Sequence, residues 1–577
     1  MRSSDDFSCE RRTARIRLAA VLALALFGVA FSKLVRIQLI EHRHYAGLAD
    51  AQHTHRETLE PRRGRILDRN GFLLAGNMPV VTFEVYWPNV PEGSECEIDS
   101  LCMRLRDSGG DAEIPDRSGI NQILARNVPY EQALPFISAG LPAGVNLRMV
   151  ELRTYPLGDL TAMILGRAGQ GCLEGLEAEF DQLLSGTEGV RYVERSAYPG
   201  MSVTDSRAEN TLPVDGSDLM LTIDARFQCI VQRELQAAVE LSGGSWGAAL
   251  VVDPSNGDIL AMGSWPVRAP DGSIASNNCI ASMHEPGSTF KLVTLAACLE
   301  EGLVSASDSF DCSRGTIPVA DRTISDCHVF GVLSVEGIIA NSSNVGTIRL
   351  AQLLSDSLLY GYCRAFGFGS RTGLELPGEE GGILRPPSQW SGLSHACVAI
   401  GQEVGVTPVQ LAMAFCAVAN GGTLYQPRLI RASREDGVWR DWVSFPSRTV
   451  ISEDTAEEVR RILACAVEYG TGMSASVEGV TVAGKTGTAE RLSFGPGAYL
   501  SAFAGMIPAE RPELVAVVVI DRPGFAYRFG STLAAPVFSR IMSGIFSCEP
   551  GLALGSCCSA NDGVLAGMDG GSQVTGL

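Results

Sequence analysis

The sequence predicts an α+β protein of at least two domains behind a single N-terminal transmembrane helix. An apolar run over 16–35 follows a basic stretch carrying Arg2, Arg11, Arg12, Arg15 and Arg17. The 577 residues exceed what one hydrophobic core usually serves. Beyond Ser217, strand-like runs such as 514–520 share the chain with helical ones such as 409–419. With 45% hydrophobic and 19% charged residues, the chain falls among globular proteins rather than disordered ones. Its net charge of −19 excludes a nucleic-acid partner, since phosphate binding needs a basic face.

Taken from the start, residues 1–15 read as a cytoplasmic tail and 16–35 as the span. About 20 helical residues cross roughly 30 Å of hydrocarbon, with Arg17 and Lys33 reaching outward from its ends. The basic flank keeps the N-terminus inside and places the rest of the chain outside the cytoplasmic membrane. A cleaved signal peptide is the alternative, because Ala30-Phe31-Ser32 has the small-x-small form of a cleavage site. Leu34, Val35, Ile37, Leu39 and Ile40 continue the apolar helical pattern through that cut, which favours an anchor.

A first extracytoplasmic region covers 36–216. In it Asp68-Arg69-Asn70-Gly71, between apolar flanks, predicts a hairpin turn. Short strands and helical pieces follow, ending in Gly175-Leu176-Glu177 and a helix, without a catalytic constellation. A second unit spans 217–546. It opens with a strand over 219–223, a helix over 225–241 and strands over 246–252 and 259–262, the last two separated by the turn residues Asp253-Pro254-Ser255-Asn256-Gly257-Asp258. Helices are expected over 290–300, 335–354 and 409–419, and strands over 480–483 and 514–520. The tail 547–577, rich in Gly and Ser, reads as flexible. Of the 16 cysteines, Cys298, Cys416 and Cys465 lie in apolar helical runs as buried thiols. Cys96 with Cys102 and Cys312 with Cys327 are near enough in sequence to bridge in an oxidising compartment.

Only three of the 46 basic residues are lysine: Lys33, Lys291 and Lys485. Wherever a fixed positive charge suffices the chain uses arginine, whereas a lysine can shed its proton and act as a base. Lys291 lies in Ser288-Thr289-Phe290-Lys291, after Glu285-Pro286-Gly287 and before an apolar periodic run, so Ser288 starts a helix and Lys291 follows one turn on, on the same face. A neutral amine beside a serine supplies the base that a hydroxyl nucleophile needs, and the helix N-terminus favours a developing oxyanion. Ser342-Ser343-Asn344 precedes another helical run and by itself reads as a capping cluster. Lys485-Thr486-Gly487-Thr488 follows a strand-like run, and its glycine lets a ligand lie against the backbone.

These three motifs, in this order within one unit, resemble the penicillin-binding protein and serine β-lactamase superfamily. Arg63-Gly64-Arg65-Ile66-Leu67-Asp68-Arg69-Asn70-Gly71 and Gly175-Leu176-Glu177 behind one anchor look like the class B penicillin-binding proteins, as do Gly401-Gln402-Glu403-Val404-Gly405-Val406-Thr407-Pro408 and Ala419-Asn420-Gly421-Gly422. His284 departs from the pattern, many relatives having tyrosine there. The resemblance implies an elongated pedestal followed by a transpeptidase domain, an antiparallel sheet with helices on both faces. It also implies that Ser288 attacks a D-Ala-D-Ala stem peptide of peptidoglycan and that β-lactams acylate the same serine. Lys291 would be the base, Ser342 and Asn344 would relay a proton and place the substrate amide beside Ser343, and Lys485, Thr486, Gly487 and Thr488 would hold its carboxylate. Backbone N–H groups of Ser288 and Thr488 would form the oxyanion hole, and mutual repulsion with Lys485 would help deprotonate Lys291. No cofactor or metal is implied. A polytopic glycosyltransferase partner is.

Rivals fit less well. Gly479-Val480-Thr481-Val482-Ala483-Gly484-Lys485-Thr486 matches a phosphate loop literally, but its strand-like residues lie inside the loop. Gly243-Gly244-Ser245-Trp246-Gly247 has the nucleophile-elbow spacing in the reverse helix-to-strand order. A β-lactamase or β-lactam sensor shares Ser-Thr-Phe-Lys, yet class D enzymes carry valine where Asn344 stands and lack so large an N-terminal region. A non-catalytic division scaffold would not need all three motifs.

Overall fold

The computed structural model describes residues 4–45, 54–169, 172–195, 202–204, 210–443, 446–491 and 494–549. It divides into two compact units, Met1–Arg62 with Ser185–Gly216 and Arg63–Leu184 with Ser217–Leu577. In the first, Ser4–Val35 is one helix that continues into a π-helical turn, Arg36–Ile40. Residues 12–40 are long and apolar enough to cross a membrane. A three-stranded antiparallel ribbon, Thr54–Leu59, Gly189–Arg195 and Ser202–Thr204, completes the unit.

The second unit begins with the predicted hairpin. Asp68 turns the chain between Ile66–Leu67 and Leu73–Tyr86, its carboxylate accepting the N–H groups of Asn70 and Phe72, both at 2.8 Å, and of Ala225 at 3.1 Å. One fully buried carboxylate joins the two motifs of this region: Glu177 receives Arg63 at 2.6 Å and Arg153 at 2.7 Å. Strand Leu73–Tyr86 pairs with Asn121–Pro129 and Val145–Thr154, packing Phe83 and Val85 against Ile98, Leu101 and Leu105 of the helix Glu95–Asp107. Cys96 and Cys102 lie six residues apart on that helix, about 9 Å along its axis and about 120° around it, too far apart to bridge. Cys96 is exposed and Cys102 is buried, and neither is bridged.

The centre of the unit is a five-stranded antiparallel sheet of β1 (Trp246–Asp253), β2 (Asp258–Trp265), β3 (Ala483–Glu490), β4 (Tyr499–Ile507) and β5 (Leu514–Asp521), in the order β2-β1-β5-β4-β3. Alternate residues point to opposite faces. Leu250, Val252, Val517 and Val519 meet the helix Pro408–Ala419 on one face; Val251, Phe503, Val518 and Ile520 meet Ala225–Ser242 and Ala534–Cys548 on the other. Both faces are buried, which is why these strands read as nearly continuous apolar runs. The glycines from Gly243 form the turn between Ala225–Ser242 and β1, with Gly243 in the left-handed region at the helix end.

Two expected elements are corrected. The helix over 335–354 is broken into Val335–Ala340 and Asn344–Ala351, because Ser342 takes a left-handed φ of +58°. The strand expected over 480–483 begins at Ala483 and runs through Lys485, Thr486 and Gly487 to Glu490, so no phosphate loop forms there. The flexible tail expected over 547–577 lies outside the described residues from 550 onward.

Candidate active site

Ser288 sits in a 3₁₀ turn, Gly287–Phe290, that leads into the helix Lys291–Glu300. The turn is backed by the segment that opens with Gly401. Gly287 N donates to Gly401 O at 3.0 Å, and a methyl group on Gly401 would lie 2.2 Å from Gly287 O, so only glycine fits. Glu403 N donates to Glu285 at 2.9 Å, and His284 exchanges two main-chain hydrogen bonds with Val406. His284 itself is buried, and burial pushes it down to about 3, so its ring is neutral. Ser288 remains partly exposed while Lys291 is fully buried.

The break at Ser342 delivers the second motif to that lysine. Lys291 Nζ donates to Ser342 O at 2.6 Å, to Asn344 Oδ1 at 2.8 Å and to Ser342 Oγ at 3.3 Å. The corner is fixed from behind by Asp326, whose carboxylate accepts Ser343 Oγ at 2.7 Å and Val345 N at 3.0 Å, together with Asn344 N. Ser343 is buried and turned inward: its hydroxyl caps Asn344–Ala351 by accepting Gly346 N at 2.9 Å. The substrate contact expected of Ser343 is therefore replaced by support of the corner.

The third motif lies on β3, the edge of the sheet, whose outer backbone groups have no strand partner among the described residues. Gly487 lets β3 abut the serine turn: a methyl group there would lie 2.9 Å from Thr289 Cγ2 and 3.0 Å from Pro286 O. On Gly287 a methyl would meet Thr488 O at 3.1 Å, so the two backbones are in contact. Thr488 Oγ1 accepts Gly530 N at 3.1 Å. Lys485 is fully buried, with Thr486 O at 3.4 Å and Thr471 Oγ1 at 3.5 Å, and Thr471 Oγ1 is 2.9 Å from Thr486 Oγ1.

Burial pushes Lys291 down to about 7, partly opposed by Asp326. Lys485 is held well below the ordinary lysine range by burial and then by the charge of Lys291. Desolvation is thus the first cause at both amines, and the repulsion expected between them comes second to it. Cys312 and Cys327, near enough in sequence to bridge, do not: Cys312 is buried against Ser343, Cys327 is exposed, and both thiols are free. Asp326 and Thr471 escaped the sequence reading because each acts from a loop with no motif around it; only distance in space reveals them.

Known proteins resemble this chain in sequence and fold. Residues 247–543 match the penicillin-binding protein transpeptidase domain and 58–171 the penicillin-binding protein dimerisation domain. Stage V sporulation protein D of Bacillus subtilis is 34% identical over 92% of this chain and 85% of its own. Peptidoglycan D,D-transpeptidase FtsI of Escherichia coli K12 is 30% identical over 92% of this chain and 91% of its own. The crystal structure of penicillin-binding protein 3 of Mycobacterium tuberculosis with aztreonam superposes with a TM-score of 0.67, at 29% identity, over 86% of this chain and 98% of that one. The chain belongs to the class B penicillin-binding protein transpeptidases.

Proposed function

We propose that this chain forms peptide cross-links in peptidoglycan through an acyl-enzyme on Ser288, facing outward from a membrane spanned by its N-terminal helix. One observation carries the proposal: a buried amine, Lys291, lowered to about 7, is one turn from Ser288 and held against Ser342 and Asn344. In the mechanism this supports, Ser288 Oγ attacks the carbonyl of the penultimate D-alanine while its proton passes to Lys291 Nζ. Backbone N–H groups of Ser288 and Thr488 receive the oxyanion where β3 abuts the serine turn. The proton crosses from Lys291 by way of Ser342 Oγ, 3.3 Å away, to the departing D-alanine amine. An amine from a second stem then attacks the ester, and the same groups run in reverse.

The outer edge of β3 suits an extended peptide added as a further strand. Lys485, Thr486 and Thr488 lie on it to meet the terminal carboxylate, with Gly487 leaving room. An arriving carboxylate restores the charge that burial and Lys291 take from Lys485. A β-lactam presents the same acyl and carboxylate groups, so it acylates Ser288. A polytopic glycosyltransferase working beside the anchor helix would supply the glycan strands. The test is labelling of the full-length chain in detergent by a fluorescent penicillin, with mass mapping of the modified residue. Stable label on Ser288, absent in Ser288→Ala, is the expected result. Label that hydrolyses rapidly points to a β-lactamase, and no label to a scaffold.

A further inference from the structure

Lys485, like Lys291, is fully buried, and among the described residues no carboxylate forms an ion pair with it. An ammonium carries three donors on a rotatable stem. The two acceptors given to this one, Thr486 O at 3.4 Å and Thr471 Oγ1 at 3.5 Å, lie at the limit of hydrogen-bond reach. Of these only Thr471 is a side chain, and the same hydroxyl lies 2.9 Å from Thr486 Oγ1. Thr471 is itself tied to the end of the helix Val335–Ala340. Its N–H donates to Ala340 O at 3.0 Å, two residues before Ser342, and a methyl group on the neighbouring Gly470 would lie 2.3 Å from that carbonyl. Gly472 N donates to Ala466 O at 2.8 Å, holding the far side of the loop.

We infer that Thr471 is a positioning residue: anchored to the end of the helix before Ser342, its hydroxyl directs the Lys485 ammonium and the Thr486 hydroxyl toward the substrate carboxylate. This rests on the acyl-enzyme reading of Ser288. Through Thr471 the Ser-Ser-Asn corner and β3 move together, so the groups that transfer the proton and those that grip the carboxylate keep their spacing. Without the hydroxyl, Lys485 loses an acceptor that favours its charged form, and its proton leaves at lower pH.

The test compares Thr471→Val, which keeps the shape, with Thr471→Ser, which keeps the hydroxyl, by the rate of Ser288 acylation in the full-length chain. Penicillin and its methyl ester, which lacks the free carboxylate, are used across a range of pH. Thr471→Val is expected to slow acylation by penicillin at least about tenfold, the worth of one hydrogen bond to a charged group. The alkaline limb of its pH profile moves to lower pH, the ester reacts at the wild-type rate, and Thr471→Ser restores the acid form. Equal slowing of acid and ester, an unmoved pH profile, or failure of the serine variant to rescue overturns the inference. Thr471→Ala replaces the valine variant if the latter does not fold. A wild-type chain that takes no label overturns the acyl-enzyme reading and this inference with it, whereas a labelled wild type with unaffected variants overturns this inference alone.

Discussion

At the scale of single residues, the decisive property is the ease with which a lysine gives up its proton once water is removed. Lys291 is fully buried, and that burial is the main cause of its fall toward neutrality, with Asp326 pulling the other way. Acylation of Ser288 therefore rises with pH as Lys291 loses its proton, with half of the rise near pH 7, the value to which burial brings it. Stopped-flow acylation by a chromogenic β-lactam checks this; a profile flat through neutrality contradicts it. Lys291→Arg keeps the charge and cannot serve as base, so acylation falls by about 10²–10⁴-fold. This much was legible in the sequence, because two of only three lysines stand in motifs. What was not legible is that burial is the first cause of the fall at Lys291.

Elements set distances that residues cannot set alone. The break between Val335–Ala340 and Asn344–Ala351 turns Ser342 O and Asn344 Oδ1 toward one amine, and Asp326 holds the break by capping the second helix. Asp326→Asn removes a negative charge that raises Lys291, so the rising limb of the acylation profile moves to lower pH. It also exchanges charge-assisted hydrogen bonds to Ser343 Oγ and Val345 N for neutral ones, a loss of about 1 kcal/mol in thermal denaturation. A limb that moves upward contradicts this account. Gly487→Ala forces a methyl group to within 2.9 Å of Thr289 Cγ2 and 3.0 Å of the Pro286 carbonyl. The strand and the serine turn separate, and labelling by penicillin is lost while the protein stays folded by circular dichroism. The helical run over 335–354 concealed its break, since Asn341-Ser342-Ser343 takes a helical pattern as easily as a turn until packing forces Ser342 to positive φ.

For the molecule as a whole, the motifs far from Ser288 hold the fold. Glu177, fully buried, binds Arg63 and Arg153, and Ile66–Leu67 pairs in parallel with Leu219–Leu221, so one sheet joins residues from both halves of the second unit. Glu177→Ala leaves the Arg153 guanidinium without its carboxylate and Arg63 with Asp181 alone, and costs about 3–5 kcal/mol, read as a lower melting temperature of the full-length chain. Unchanged melting contradicts a structural role. The sequence by itself determined the apolar N-terminal helix, the α+β class, the hairpin at Asp68 and the three motifs of the candidate site, because periodicity, turn chemistry and rare residue types are local properties. The tertiary structure alone decided which side chains meet. Asp326 behind Asn344, Gly401 behind Gly287 and Thr471 beside Lys485 are separated in sequence by loops whose closure leaves no periodic trace, and burial of both lysines exists only once the sheet and helices have packed.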